Sequence, residues 1–143
     1  MQLRFPLRDL ALAWLMATVF SGLPSTVYAF ATGADPMGPT RAAGRMLLPH
    51  ATGTGTLFAA AALVHPAVSL FWTAVFGGVL PRRHVAAWAT AGAAAVALLD
   101  LRLIAPALFP AVAALPFWPQ LADHLAWGAL LGAVLQHRQA RGR

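Results

Sequence analysis

Residues Leu10 to Ala31 run without a single charged side chain. A stretch of that length is long enough to cross the hydrocarbon core of a bilayer as a helix. Three further apolar runs follow, at about 56–80, 85–105 and 120–136, the last the shortest. Lipid offers no partner for an unpaired peptide group, so each run must close its hydrogen bonds within itself, which means a helix. The composition agrees. The 143-residue chain is 59% apolar and 10% charged, against about 45–50% and about 25% in an ordinary soluble domain. The expected fold is therefore all-α, an integral membrane four-helix bundle forming a single domain over 1–143.

The connections are short. Residues 32–55 are rich in Gly, Pro and Thr, and residues 81–84 read as a tight turn. Residues 106–119 carry Pro106, Pro110, Pro116 and Pro119, which cannot continue a regular helix. Within the first connection, residues 40–48 place Arg41 and Arg45 one helical turn apart. This reads as a short amphipathic helix at the membrane interface, with the two arginines set to contact lipid phosphates or another anion.

Charge sets the orientation. With four spans both termini share a side, and that side holds Arg4, Arg8, Arg82, Arg83, Arg138, Arg141 and Arg143. The opposite side holds Arg41, Arg45 and Arg102. Basic residues concentrate on the cytoplasmic side, so both termini are expected in the cytoplasm of a bacterial inner membrane. Such arginines face lipid headgroups rather than nucleic acid. Ala29-Phe30-Ala31 resembles a signal-peptide cleavage site. The length of the first run and its internal Ser21, Pro24, Ser25 and Thr26 instead favour a retained span.

Under this topology the polar residues within the spans gather in the outer half. Ser21, Ser25 and Thr26 fall late in the first span. His65 lies nine residues into the second, roughly 13 Å from its outer end, and Ser69 is near the middle. Asp100 lies roughly 7 Å from the outer end of the third span, and Asp123 and His124 open the fourth. An ionisable group inside a span is a functional candidate by default. Asp100 is expected to find a partner in His124 or His65. Asp123 is placed to meet the positive end of its own helix. Arg102 is expected to reach for the headgroups. Pro24 and Pro66 each free a carbonyl four residues back, and two such kinks would splay the bundle outward into a polar crevice.

Among the tryptophans, Trp14, Trp88, Trp118 and Trp127 read mostly as interface anchors and Trp72 as a packed one. Gly128 and Gly132 form a G-x-x-x-G pair, which suits close packing within the bundle or a homo-oligomer face.

Cysteine is absent, which excludes disulfides, thiolate metal sites and thiol catalysis. No phosphate-binding loop, nucleophile elbow or H-E-x-x-H occurs. No catalytic residue, metal site or cofactor is assigned. His65, Asp100, Asp123 and His124 have ligand chemistry, but they are scattered over three helices without a local spacing signature.

Ser21-Gly22-x-Pro24-Ser25-Thr26, Thr40-Arg41-Ala42-Ala43-Gly44 and Ala122-Asp123-His124 together resemble a group of small four-span bacterial integral membrane proteins of uncharacterised function. The resemblance implies a membrane location and carries no activity, cofactor or substrate. Two functions follow. One is a non-enzymatic accessory or scaffold subunit, partnered by the bilayer and by another membrane protein or a second copy. The other is a transporter or binding protein for a small ligand, proton or ion, using the outer Asp/His cluster.

Overall fold

The computed structural model describes residues 3–141. Arg143, one of the arginines in the charge count, lies outside them. Among the described residues all regular structure is helical. The helices are α1 (Leu7–Phe20), α2 (Leu23–Thr32), α3 (Gly38–Leu47), α4 (Thr54–Val79), α5 (Val85–Leu99), a π-helical turn (Asp100–Ile104), α6 (Ala105–Leu108), α7 (Pro110–Ala113) and α8 (Phe117–Arg141). Three segments are long and apolar enough to cross a membrane: Leu7–Thr32, Thr54–Val79 and Val85–Leu108. At 25 residues α8 matches them in length, but polar residues at both its ends shorten its apolar stretch.

The first span is not one helix. Pro24 has no N–H for the carbonyl of Phe20, and the chain breaks at Ser21 and Gly22 before α2 begins. The break is closed locally. Ser21 N donates to the Ala17 carbonyl at 3.0 Å, and the Gly22 carbonyl receives both the backbone N–H (3.1 Å) and the hydroxyl (2.7 Å) of Thr26. Pro66, by contrast, sits inside α4 without ending it.

Pro106 also departs from expectation, since helical structure continues across it. The turn ahead of it widens, and the Ala105 N–H bonds the Asp100 carbonyl, five residues back. The π-helical turn ends just before Pro106, whose missing N–H would have deserted the Arg102 carbonyl. The 106–119 connection thus holds α6 and α7 rather than irregular chain.

The core is shared by α1, the end of α4, α5 and α8. Leu10, Ala13 and Ala17 meet Phe76 and Leu80, Val85, Ala89, Ala93 and Val96, and Trp127, Leu131 and Leu135. The α5–α8 contact is the most extensive, and it rests on glycine. A Cβ on Gly128 would lie 2.6 Å from the Ala89 carbonyl oxygen, and one on Gly132 would lie 2.6 Å from the Ala86 Cα. Both glycines lie against α5 inside the bundle. Close approach without side chains in the way is the usual basis of helix association in lipid.

Helix α3 is amphipathic and spans nearly the expected residues. It does not simply lie on the surface, for it packs on α4 and α7. Ala42 and Gly44 are buried, and Gly44 lies so close to the Leu57 backbone that no side chain fits there. The outside of the molecule is apolar. Leu7, Phe30 and Trp118 are all more than 70% exposed, as suits a chain surrounded by hydrocarbon.

Candidate functional site

Most of the candidate residues collect around the α1–α2 break, at the end of the bundle remote from the two termini. The break leaves helix ends inside the bundle, with carbonyls at the end of α1 and N–H groups at the start of α2 that lack helical partners. The polar side chains are positioned by these ends.

The Ser25 N–H, in the first turn of α2, donates to Asp123 Oδ1 at 2.9 Å. Asp123 therefore serves a helix N-terminus, but that of α2 and not of its own helix as the sequence suggests. A carboxylate there satisfies an orphan donor and meets the positive end of the helix dipole. The Ser25 hydroxyl turns back to the Gly22 carbonyl at 3.2 Å. At the end of α1 the Thr18 carbonyl accepts from His65 Nε2 at 3.0 Å, so His65 answers an orphan acceptor across the α1–α4 contact. It remains exposed on its other side.

One turn deeper, Ser69 is buried. Its hydroxyl lies 2.6 Å from that of Thr18 and accepts the Trp127 indole N–H at 2.8 Å. Ser69 thereby ties α1, α4 and α8 together. Trp127 is a core residue, stacked edge-on against Phe76, and not an interface anchor. Trp14 is likewise turned inward, with its indole N–H donating to the Pro66 carbonyl at 3.1 Å. Trp72 is partly buried against the core.

Asp100 opens the π-helical turn, and its carboxylate Oδ2 lies 3.5 Å from His124 Nε2. His124, rather than His65, is its neighbour. The other ring nitrogen of His124, Nδ1, is 2.8 Å from the Gln120 carbonyl oxygen. A carbonyl only accepts, so Nδ1 carries a proton. Two facing lone pairs would repel, so the Asp100–His124 contact calls for a second proton, on Nε2 or on the carboxyl. Among the described residues, every buried side-chain nitrogen and oxygen has a hydrogen-bond partner.

The cluster thus joins Asp100 to His124, Asp123 to Ser25, and Ser69 and His65 to Thr18. Ser21 is buried at the break, and Thr26 bonds only its own backbone. The arginines lie apart. The Arg102 guanidinium sits over the Phe117 ring, 4.1 Å from its centre, and is exposed. Arg41 pairs with Asp35, whose other oxygen takes the Met37 N–H at 2.9 Å. Arg45 is exposed on the same helix. Among the described residues no three His, Asp or Glu side chains converge on a metal position.

Sequence reasoning missed Thr18, which looked like one more small residue in an apolar run. It also missed a second polar cluster, at the end of the bundle that carries the termini. There Asp9 is buried and accepts from Arg138 Nε at 2.8 Å, with Arg8 at 3.8 Å. Nearby, Arg82 donates to the Arg4 carbonyl through Nε (3.1 Å) and Nη2 (2.7 Å), and Arg4 N donates to the Gly77 carbonyl at 2.8 Å. The signal available was that Asp9 is the only acid in the chain's arginine-rich flanks.

The chain matches no protein-family profile, no curated protein and no solved structure.

Proposed function

We propose that the chain is a four-span protein of a bacterial inner membrane, with both termini cytoplasmic, acting as a non-enzymatic accessory or scaffold subunit. Three spans follow from length and apolarity. The fourth is α8, which is packed along α5 and α1. Its polar ends meet polar partners at both ends of the bundle, at Ser25 and Asp100 on one side and at Asp9 on the other. Asp123 and Arg138 stand about 22 Å apart along that helix, which brackets most of a hydrocarbon layer.

The observation that carries the scaffold reading is that the polar groups are tied to one another. His65, Ser69, Asp123 and Trp127 each hold one helix to another, and between the two polar ends the buried side chains are mainly apolar, with the Thr73 hydroxyl spent on its own helix at the Ser69 carbonyl. A path for a solute would need polar groups through that layer. The decisive measurement is copurification of the tagged full chain in mild detergent. The expected result is a stable, stoichiometric complex with another membrane protein. A chain that extracts alone and carries saturable ion or proton flux in liposomes overturns the reading.

One observation favours the alternative of a proton or small-ligand protein with an outward-facing crevice. Asp100 and His124 lie 3.5 Å apart and keep 26% and 27% of their side-chain surface exposed, so the pair is not sealed inside the bundle. Proton flux into liposomes that is lost in Asp100→Asn would select this alternative.

A further inference from the structure

Helices α4 and α5 are joined by the short corner 80–84, yet α4 packs on α3 and α1 while α5 packs on α8. The corner itself diverges. Leu80 is extended, and His84, the residue just before α5, lies in the left-handed region at φ 54°. An open apolar cleft of about 350 Å³ remains between the two helices, lined by Phe76, Val79, Leu80, Trp88, Ala91 and Gly92. Its floor is the Phe76 ring against Gly92, where an added Cβ would stand 2.9 Å from the ring edge. From the corner to Gly92 the cleft runs about 10 Å along α5, the length of several methylene groups.

Pro81 lines the corner end of this cleft, and the three residues after it, Arg82, Arg83 and His84, are basic. Arg82 and Arg4 are fixed at the corner by neutral backbone carbonyls, of Arg4 and Leu80 respectively, and among the described residues no carboxylate pairs with either. Arg83 and His84 are exposed beside them. Asp9, the carboxylate at this end, is engaged by Arg138 and Arg8. On the other flank of the corner lies a second open cavity of about 450 Å³, lined by Leu3, Arg4, Gly78 and Arg82.

We infer that the α4–α5 corner is a binding site for an anionic phospholipid, with one acyl chain in the cleft and the phosphate against Arg82 and Arg83. An apolar groove that ends at Pro81, with Arg82 and Arg83 next along the chain, pairs the two halves that a phospholipid presents. Arginine suits the phosphate by offering several N–H donors in a planar fork, and basic sites between spans take acidic headgroups. The inference concerns a site remote from Asp100 and His124, and it holds for either function proposed above and for either orientation in the bilayer.

The test is native mass spectrometry of the full chain in detergent, titrated with phosphatidylglycerol or phosphatidylcholine of the same chains. The wild type is expected to retain one phosphatidylglycerol in preference to phosphatidylcholine. Each arginine near an acidic headgroup contributes about fivefold, so Arg82→Gln with Arg83→Gln should cut that preference roughly thirtyfold. The Lys pair at the same positions should keep most of it. Ala91→Phe, on the exposed face of α5, fills the cleft without entering the core and should lower retention of both lipids. Glycerol phosphate should not displace the bound lipid. Equal retention of the two lipids by the wild type overturns the inference. So does unchanged binding in Ala91→Phe, and so does displacement by glycerol phosphate, which would mark a headgroup-only anion site.

Discussion

Replacing Gly132 by alanine tests the α5–α8 contact on which the whole bundle rests. The new methyl carbon would stand 2.6 Å from the Ala86 Cα, 2.8 Å from the Ala89 Cβ and 3.0 Å from the Val85 carbonyl oxygen. Two of these three atoms belong to the backbone of α5, so no rotamer change relieves the overlap and the helices must separate. Overpacking of this kind costs about 1–3 kcal/mol. Alanine also favours the helix over glycine, by about 1 kcal/mol, so the net loss is about 0–2 kcal/mol, and the variant should fall about 1–3 kcal/mol below a Gly→Ala change made in open space. Gly55→Ala in α4 measures the propensity gain alone, because nothing lies within 4 Å of its added Cβ, and it should be neutral or stabilising. Ala89→Gly in the Gly132→Ala background removes one of the three overlaps and should restore only part of the loss. The assay is reversible unfolding in mixed micelles for the four proteins side by side. If Gly132→Ala unfolds at the same point as Gly55→Ala, the close α5–α8 approach is wrong.

Three further outcomes are expected. Asp123→Ala should cost about 0.5–2 kcal/mol by removing the acceptor at the α2 N-terminus, and hydrogen exchange should rise at Ser25 rather than in α8. Arg138→Gln should destabilise by about 1–3 kcal/mol, because it strands the buried Asp9 carboxylate, while Arg141→Gln should be near neutral; a double variant with Asp9→Asn should lose less than the sum of its two singles. Reporter fusions after Arg141 should be active only in the cytoplasm and insertions within 32–55 only outside, and a C-terminal fusion active outside the cell would overturn the orientation.

The sequence made the element boundaries legible because hydrophobicity is read along the chain, one residue at a time. The four apolar runs correspond to α1–α2, α4, α5–α6 and α8, and the depths of the polar residues narrowed the neighbour of Asp100 to His124 or His65 without choosing between them. Rotation about the helix axis was harder to read. A helix that is apolar on every side has no strong stripe to say which face turns inward. That is why Trp14 and Trp127 read as interface anchors although both indoles hydrogen-bond to α4. Thr18 was invisible for the same reason, since its value depends on which helix its face meets. Asp9 precedes the first apolar run and so read as solvent-facing flank, whereas the last turns of α8 cover it.

The prolines show where local rules and packing part company. Pro24, Pro66 and Pro106 each withdraw one N–H from a helix, and the chain responds in three different ways. At Pro24 it breaks, and the exposed helix ends are taken up by Asp123 and His65 from other helices. At Pro66 the helix continues, and the carbonyl of the proline itself draws the Trp14 indole across from α1. At Pro106 the preceding turn widens to five-residue spacing, with Asp100 at its first position. Adding a residue to a turn rotates everything beyond it, so the π-helical turn sets the direction of Asp100 relative to α6. In two of the three cases the ionisable groups sit where the backbone has been disturbed. A polar side chain within a span is costly unless it has a partner, and an unsatisfied peptide group in hydrocarbon is costly too. Placing the first against the second removes both penalties with one hydrogen bond. On that argument the polar residues near the α1–α2 break are there because the backbone is broken. Replacing Pro24 by alanine, which lets the helix close, should therefore weaken the hold of Asp123 on Ser25.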